Sequence, residues 1–301
     1  MYYIIGGPTA SGKSKLALWL AQRVDGEIIN ADSLQLYKNI PVLSAAPDAK
    51  EISETRHHLF GIYHNDQVST AKAWAELAQI TIEDVIKRHK TPIVVGGTGM
   101  YLNSLINGLS PIPEISNEIK KAVRETKDNL TRHDFYEYVI GHDPSIKDHL
   151  HPNDGQRLSR ALEVILQTGK SILYFQGKSK PQLDKPYLFT VVLPEKELLH
   201  KLINERTVRM LEQGAIQEVQ ALRSSVNLDA PVCKAIGVKE IWKYLEEEIT
   251  RDELISLLQL ATRQYAKRQI TWFKNQVSNA VLITNPFDTT QINQLIQRKS
   301  A

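Results

Sequence analysis

Three short segments hold the residue types that chemistry would need. The first is Gly7-Pro8-Thr9-Ala10-Ser11-Gly12-Lys13-Ser14, which fits the pattern G-x-x-x-x-G-K-[ST]. Its glycines let backbone N–H groups turn toward an anion, the helix it opens adds partial positive charge, Lys13 neutralises phosphate oxygens and Ser14 offers a hydroxyl to magnesium. The second is Asp32-Ser33-Leu34-Gln35-Leu36-Tyr37. In a kinase, Asp32 would hold magnesium or its water; in a transferase acting on an amine, it would take the proton of the nucleophile. The third is Gly96-Gly97-Thr98-Gly99-Met100-Tyr101, where clustered glycines imply close backbone approach around the Thr98 hydroxyl.

The elements around these segments explain how they would meet. Tyr2 to Ile5 reads as a strand, Lys15 to Arg23 as a helix with Leu16, Trp19 and Leu20 on one face, and Glu27 to Ala31 and Pro92 to Val95 as further strands, the helical stretch Ala71 to Lys90 preceding the last. This alternation predicts an α/β fold: a P-loop parallel sheet flanked by helices, with the three segments at its carboxyl edge. After Leu109, Pro111 and Pro113 open a polar, helix-rich stretch from Glu114 to about Tyr174 that reads as an inserted helical subdomain. Leu188 to Leu193 then resumes the sheet, and Glu195 to Arg223 and Arg251 to Lys274 each read as one long helix. The expected division is a catalytic core of 1–111 and 186–301 with an insertion of 112–185. The final dozen residues are expected to fray.

Bulk properties narrow the class without naming it. The 301 residues, 42% hydrophobic and 24% charged, fit a packed globular protein. A net charge of +3 is too mild to argue for nucleic-acid binding unless the charges cluster. The single cysteine, Cys233, excludes an internal disulfide and reads as a buried thiol. No apolar run approaches the ~18 residues that span a bilayer, and the start has no signal-peptide pattern, so a cytoplasmic protein is expected. The adjacent His57 and His58 lack a second ligand cluster and read as structural.

A longer string, Gln156-Arg157-Leu158-Ser159-Arg160-Ala161-Leu162-Glu163-Val164, completes the pattern. With the three segments above, with Met210, Gly214, Glu218 and Val219, and with Arg263 through Phe273, it makes nearly the whole chain resemble the bacterial tRNA dimethylallyltransferases. The chain departs from that family's usual pattern at Ala46, where lysine is common, at Val238, where an aromatic is, and at Lys274, where arginine is.

The resemblance implies transfer of a dimethylallyl group from dimethylallyl diphosphate to N6 of the adenine 3′ of the anticodon in tRNA. It implies that Gly7 to Ser14 and Arg206 hold the diphosphate with Mg²⁺ and that Asp32 accepts the N6 proton. Thr98 would bond near the reacting centre, and Asp32, Ser33, Leu34 and Gln35 would line the extruded base. Gln156, Arg157, Leu158, Ser159, Arg160 and, less closely matched, Lys120 would contact the tRNA. In the basic helix from Arg263 to Thr271 the cations suit RNA or diphosphate, while Tyr265 and the neighbouring Trp272 suit the core. A monomer is expected. A small-molecule kinase using ATP, a noncatalytic nucleotide or RNA-binding module and a prenyltransferase of free adenine nucleotides are the alternatives. The first leaves the Gln156 string unexplained, the second gives Asp32 and Thr98 no task, and the third needs no helical insertion.

Overall fold

The computed structural model describes residues 1–277 and 279–285; the expected fraying of the last dozen residues lies outside them. Two compact units are present, one formed by Met1–Ile106 with the chain from Gln182 onward, the other by Asn107–Pro181. The expected boundaries of the insertion, 112–185, lie a few residues C-terminal to those of the second unit.

The first unit begins with β1 (Tyr2–Gly6), α1 (Lys13–Val24), β2 (Gly26–Asn30), the short helices α2 (Pro41–Ser44) and α3 (Ala49–Glu54), and β3 (His57–His58). Then come α4 (Ala71–Lys87), β4 (Thr91–Gly96) and α5 (Gly99–Ile106). The strands join a six-stranded sheet in the order β3-β2-β4-β1-β5-β6, every pairing parallel. Alternate residues of β1 explain its unbroken apolar run. Tyr2 and Ile4 join Trp74, Phe189 and Phe273 on one side of the sheet, while Tyr3 and Ile5 join Leu16, Leu20 and Val192 on the other. Both faces are covered, as βαβ crossovers require. Gly6 and Gly96 are register partners on β1 and β4, so the phosphate loop and the Thr98 loop leave the sheet side by side.

The second unit is helical: α6 (Asn117–Asn129), α7 (Arg132–His142), α8 (Gly155–Thr168) and α9 (Ile172–Phe175). Val123 of α6 and Phe135 and Val139 of α7 pack on Leu158, Ala161 and Leu162 of α8. Asp154 caps α8 by accepting from Arg157 N–H.

The chain then returns to the first unit through β5 (Tyr187–Val192), α10 (Lys196–Glu212), α11 (Ala215–Arg223), α12 (Val238–Leu245), α13 (Arg251–Gln276) and β6 (Val281–Ile283). The single helix expected from Glu195 to Arg223 is two. Gly214 takes a left-handed φ of 109°, which ends α10 and starts α11 in a new direction. A capping box of Thr250 and Glu253 starts α13, whose 26 residues pack through Leu254 and Leu258 on α11 and α12, and through Phe273 on the sheet. Among the described residues no helix is long and apolar enough to cross a membrane.

Candidate active site

The phosphate loop owes its shape to two left-handed residues, Ala10 at φ 61° and Gly12 at φ 88°, a geometry that turns successive amides toward one point. Pro8 has no N–H to offer; its carbonyl instead accepts from Ser11 N–H at 3.3 Å and from Lys13 Nζ at 3.2 Å, so the lysine spans the loop. Ser11 Oγ is buried with no hydrogen-bond partner among the described residues. Burial foremost lowers the Lys13 ammonium to about 8; nearby Arg206 pushes the same way, and the Asp32 carboxylate opposes them. Such a cation is poised to recover full charge when anionic oxygens arrive.

Arg206 comes from α10, on the far side of the loop. Its guanidinium donates to Thr9 Oγ1 at 3.0 Å. Burial lowers its basicity and the Asp32 charge partly restores it. Lys13, Arg206 and Asp32 therefore share one electrostatic neighbourhood, although they lie on three elements.

Asp32 follows β2 and is aimed by Asn30. The Asn30 side chain accepts from Asp32 N–H at 2.7 Å and donates to the carbonyls of Asp32 and Leu59 at 3.0 and 2.9 Å. The Asn30 carbonyl in turn accepts from the buried Trp74 indole at 2.7 Å. One Asp32 oxygen accepts from Leu34 N–H at 3.1 Å, closing the turn. Thr98, at the end of β4, takes Ser33 N–H on its hydroxyl at 2.9 Å and donates to Ser33 Oγ at 3.3 Å. Asp32 and Thr98 thus leave adjacent strands already tied together.

Asp32, Thr9 and Arg206 line one small cavity with Leu34, Leu43, Ile203, Met210, Ile236, Leu258 and Tyr265. The wall is mixed: Ser44, Thr207 and Thr262 add hydroxyls to the charged Asp32 and Arg206, and the aliphatic chains lie between them, a lining that suits an anion carrying a small apolar group. Tyr265 was expected only to pack. Burial, followed by the Asp32 charge, pushes its phenol well above the ordinary range, while Arg268 and a hydrogen bond with Thr98 pull the other way. It faces the site.

Gln269, one turn further along α13, ties the site together. Its side-chain oxygen accepts from Thr9 N–H at 2.8 Å and its nitrogen donates to the Gly97 carbonyl at 2.9 Å, so a single buried amide bridges the phosphate loop and the Thr98 loop. A Cβ at position 97 would strike this nitrogen, which explains the glycine. Sequence reasoning assigned no task to Gln269 or Asn30. The burial that marks the first is a property of the fold and is not visible in its neighbours along the chain.

Oxygen donors suit the magnesium implied by the loop. Ser14 is exposed on the first turn of α1, and such hard ligands match a cation that keeps several waters. His57 and His58 are structural: Nδ1 of His57 lies 2.7 Å from the Thr55 carbonyl, and Nε2 of His58 lies 2.6 Å from Glu27. Cys233 is buried.

The remaining expected residues belong to the helical unit. Gln156 and Arg157 are exposed on α8, Arg157 pairing with Asp154 at 3.4 Å, and Arg160 is partly exposed beside Glu163 at 3.0 Å. Ser159 donates back to the Gly155 carbonyl at 2.7 Å. Lys120 is exposed on α6. Leu158 is a correction: its side chain is fully buried in the core of the helical unit, so it supports α8 and offers no surface to RNA.

A parallel sheet with a phosphate loop, a carboxylate and a hydroxyl at adjacent strand ends defines a P-loop α/β protein. The chain belongs to the IPP transferase family, whose model matches residues 35–276. A tRNA dimethylallyltransferase of Rickettsia bellii is 39% identical over 295 residues, covering 97% of this chain and 94% of its own. One from Wolbachia pipientis of Culex pipiens is 43% identical over 282 residues, covering 93% and 94%. Among solved structures, the tRNA isopentenylpyrophosphate transferase of Staphylococcus epidermidis superposes with a TM-score of 0.70 at 29% identity, over 100% of this chain and 99% of that one. A eukaryotic dimethylallyltransferase acting on tRNA gives 0.83 at 28% identity, over 99% and 77%.

Proposed function

We propose that this chain transfers the dimethylallyl group of dimethylallyl diphosphate to N6 of the adenine on the 3′ side of the anticodon in tRNA, releasing diphosphate. The observation that carries the reading is the convergence of Asp32, Thr9 and Arg206 on one cavity whose wall also holds Leu34, Leu43, Ile203, Met210, Ile236 and Leu258. The family and the relatives named above supply the substrate class.

The chemistry follows from the placement. Loop amides, Lys13 and Arg206 hold the diphosphate and receive the charge that develops as the bond between C1 of the allyl group and oxygen breaks, its electron pair passing to the diphosphate. The N6 lone pair forms the new bond to C1, and the N6 proton passes to Asp32. The Ser14 hydroxyl would help hold magnesium, which would supply charge neutralisation on the leaving group. Thr98 holds the Ser33 backbone and, with Tyr265, borders the place where amine and allyl carbon meet. An adenine stacked in an anticodon loop cannot reach this edge, so the base is extruded, with Leu34 and Gln35 beside it. In the helical unit Gln156, Arg157, Arg160 and Lys120 are the groups offered to the tRNA backbone. A tRNA substrate is the ground for reading the enzyme as cytoplasmic.

Purified protein with Mg²⁺, dimethylallyl diphosphate and unmodified tRNA bearing adenines beside its anticodon tests the reading by mass spectrometry of the digested tRNA. Prenylated adenosine is expected, and Asp32→Ala is expected to slow turnover by about 10²–10⁴ while sparing diphosphate binding. ATP hydrolysis or phosphoryl transfer without prenylated adenosine would replace the reading with the kinase.

A further inference from the structure

Helix α2 starts without a cap of its own. Ile40 at its N-cap has no side-chain oxygen, and Pro41 fills the first position. The amides of Val42 and Leu43 therefore need acceptors from elsewhere. Glu218 of α11 provides both: one carboxylate oxygen accepts from Val42 N–H at 2.7 Å and the other from Leu43 N–H at 2.9 Å. These bonds join residues 176 and 175 positions apart.

The far end of α2 is a wall of the site. The Gln35 side-chain amide donates to the carbonyls of Ser44 and Ala45 at 3.2 and 2.6 Å, and Leu43 and Ser44 line the cavity that holds Asp32. Leu43 is also backed by Gly237, where an added Cβ would lie 2.9 Å from Leu43 Cδ1. A connected path thus runs from Glu218 through four residues of helix to Gln35.

The structure assigns Glu218 as a positioning residue: its carboxylate caps α2 and thereby fixes the Gln35 side chain where the extruded base must dock. The assignment rests on the reading that Gln35 borders the base. Glu218 touches no reacting group, so its loss acts on productive tRNA binding and leaves the phosphate loop, on other elements, intact.

A double-mutant cycle on tRNA prenylation tests it, with the affinity for inorganic diphosphate measured on every variant. Glu218→Ala and Gln35→Ala are each expected to raise the KM for tRNA about tenfold, and the pair together no more than about tenfold, because both break one path. Glu218→Gln, which keeps one acceptor, should fall between Glu218→Ala and the wild type, and serves if the alanine variant does not fold. Diphosphate affinity should not change. A combined effect near a hundredfold overturns the assignment, as does an equal loss of diphosphate affinity, which would mark a general structural role. If the wild type prenylates no tRNA, the functional reading has failed by itself. Amide exchange at Val42 and Leu43 then decides the cap: faster exchange in Glu218→Gln supports it, and unchanged exchange overturns it.

Discussion

Replacing Gln269 by leucine tests whether the two catalytic loops are held by one side chain. The substitution keeps the approximate volume but removes both bonds, leaving the part-buried Thr9 N–H and the buried Gly97 carbonyl without their partner. Each orphaned group costs ~1–3 kcal/mol, so the folded state should lose about 2–6 kcal/mol. Gln269→Glu separates the two halves of the effect. It retains an acceptor for Thr9 N–H but sets a carboxylate oxygen against the Gly97 carbonyl, and should disturb the Thr98 loop more than the phosphate loop. Urea unfolding gives the stability, calorimetry with inorganic diphosphate reads the phosphate loop, and single-turnover prenyl transfer at saturating substrates reads the alignment of the two. Expected for leucine are a lower unfolding midpoint, weaker diphosphate binding and a single-turnover rate reduced at least about tenfold, since small misplacements of reacting groups are costly. A leucine variant within about 0.5 kcal/mol of the wild type and equally fast would refute the bridge.

Three pH dependences follow from the charged groups. Lys13 is held at about 8 in the free protein by burial, so it is charged below that pH; diphosphate affinity, corrected for the ionisation of diphosphate itself, should fall as pH rises through about 8 and stay flat in Lys13→Arg. Because its folded value lies below the ordinary 10.5, the unfolded chain binds more protons between these limits, and the unliganded fold should gain stability as pH rises from about 8 to 10.5. Glu27 works in the acid range: its paired bonds with Arg88, Nη1 donating to Oε1 and Nη2 to Oε2 at 2.7 Å, and its bond with His58 hold it at about 2 against an ordinary 4.5. The stability it provides is complete above pH 4.5 and lost as pH falls toward 2. About 1–2 kcal/mol is expected after allowing for solvent around Arg88, measured as the acid limb of the unfolding curve that Glu27→Gln flattens.

What could be read from the residues in order, and what could not, separates along a physical line. The phosphate loop is local: its glycines, its lysine and its helix start are contiguous, and the strand before it places it. Asp32 and Thr98 were legible because parallel topology sends successive strand ends to one edge, and the register of Gly6 with Gly96 and of Asn30 with Val95 realises that. Gln269 and Glu218 act on partners more than 170 residues away, and nothing in their own neighbourhoods distinguishes a bridging amide or a remote cap from a surface side chain. Tyr265 was misread for a related reason, since an aromatic on a long helix looks the same whether it meets the core or a cavity.

Leu158 is a different kind of error, and an instructive one. Leu158, Ala161, Leu162 and Ile165 repeat with the spacing of a buried helical stripe, and Gln156 and Arg160 lie four apart on another face, so the periodicity of the string already separated its two jobs. Matching the string as a block overrode that information. The consequence extends beyond one residue. A helix that must both pack and bind divides its sequence between faces, so the part of α8 proposed to meet RNA is read from what its period leaves at the surface, and that selects the exposed Gln156 and Arg157 and the partly exposed Arg160. The same rule accounts for α13, where Phe273 and Ala266 are buried while Lys267 and Arg268 remain exposed beside Gln269, whose side chain enters the site because its position falls on the inward face.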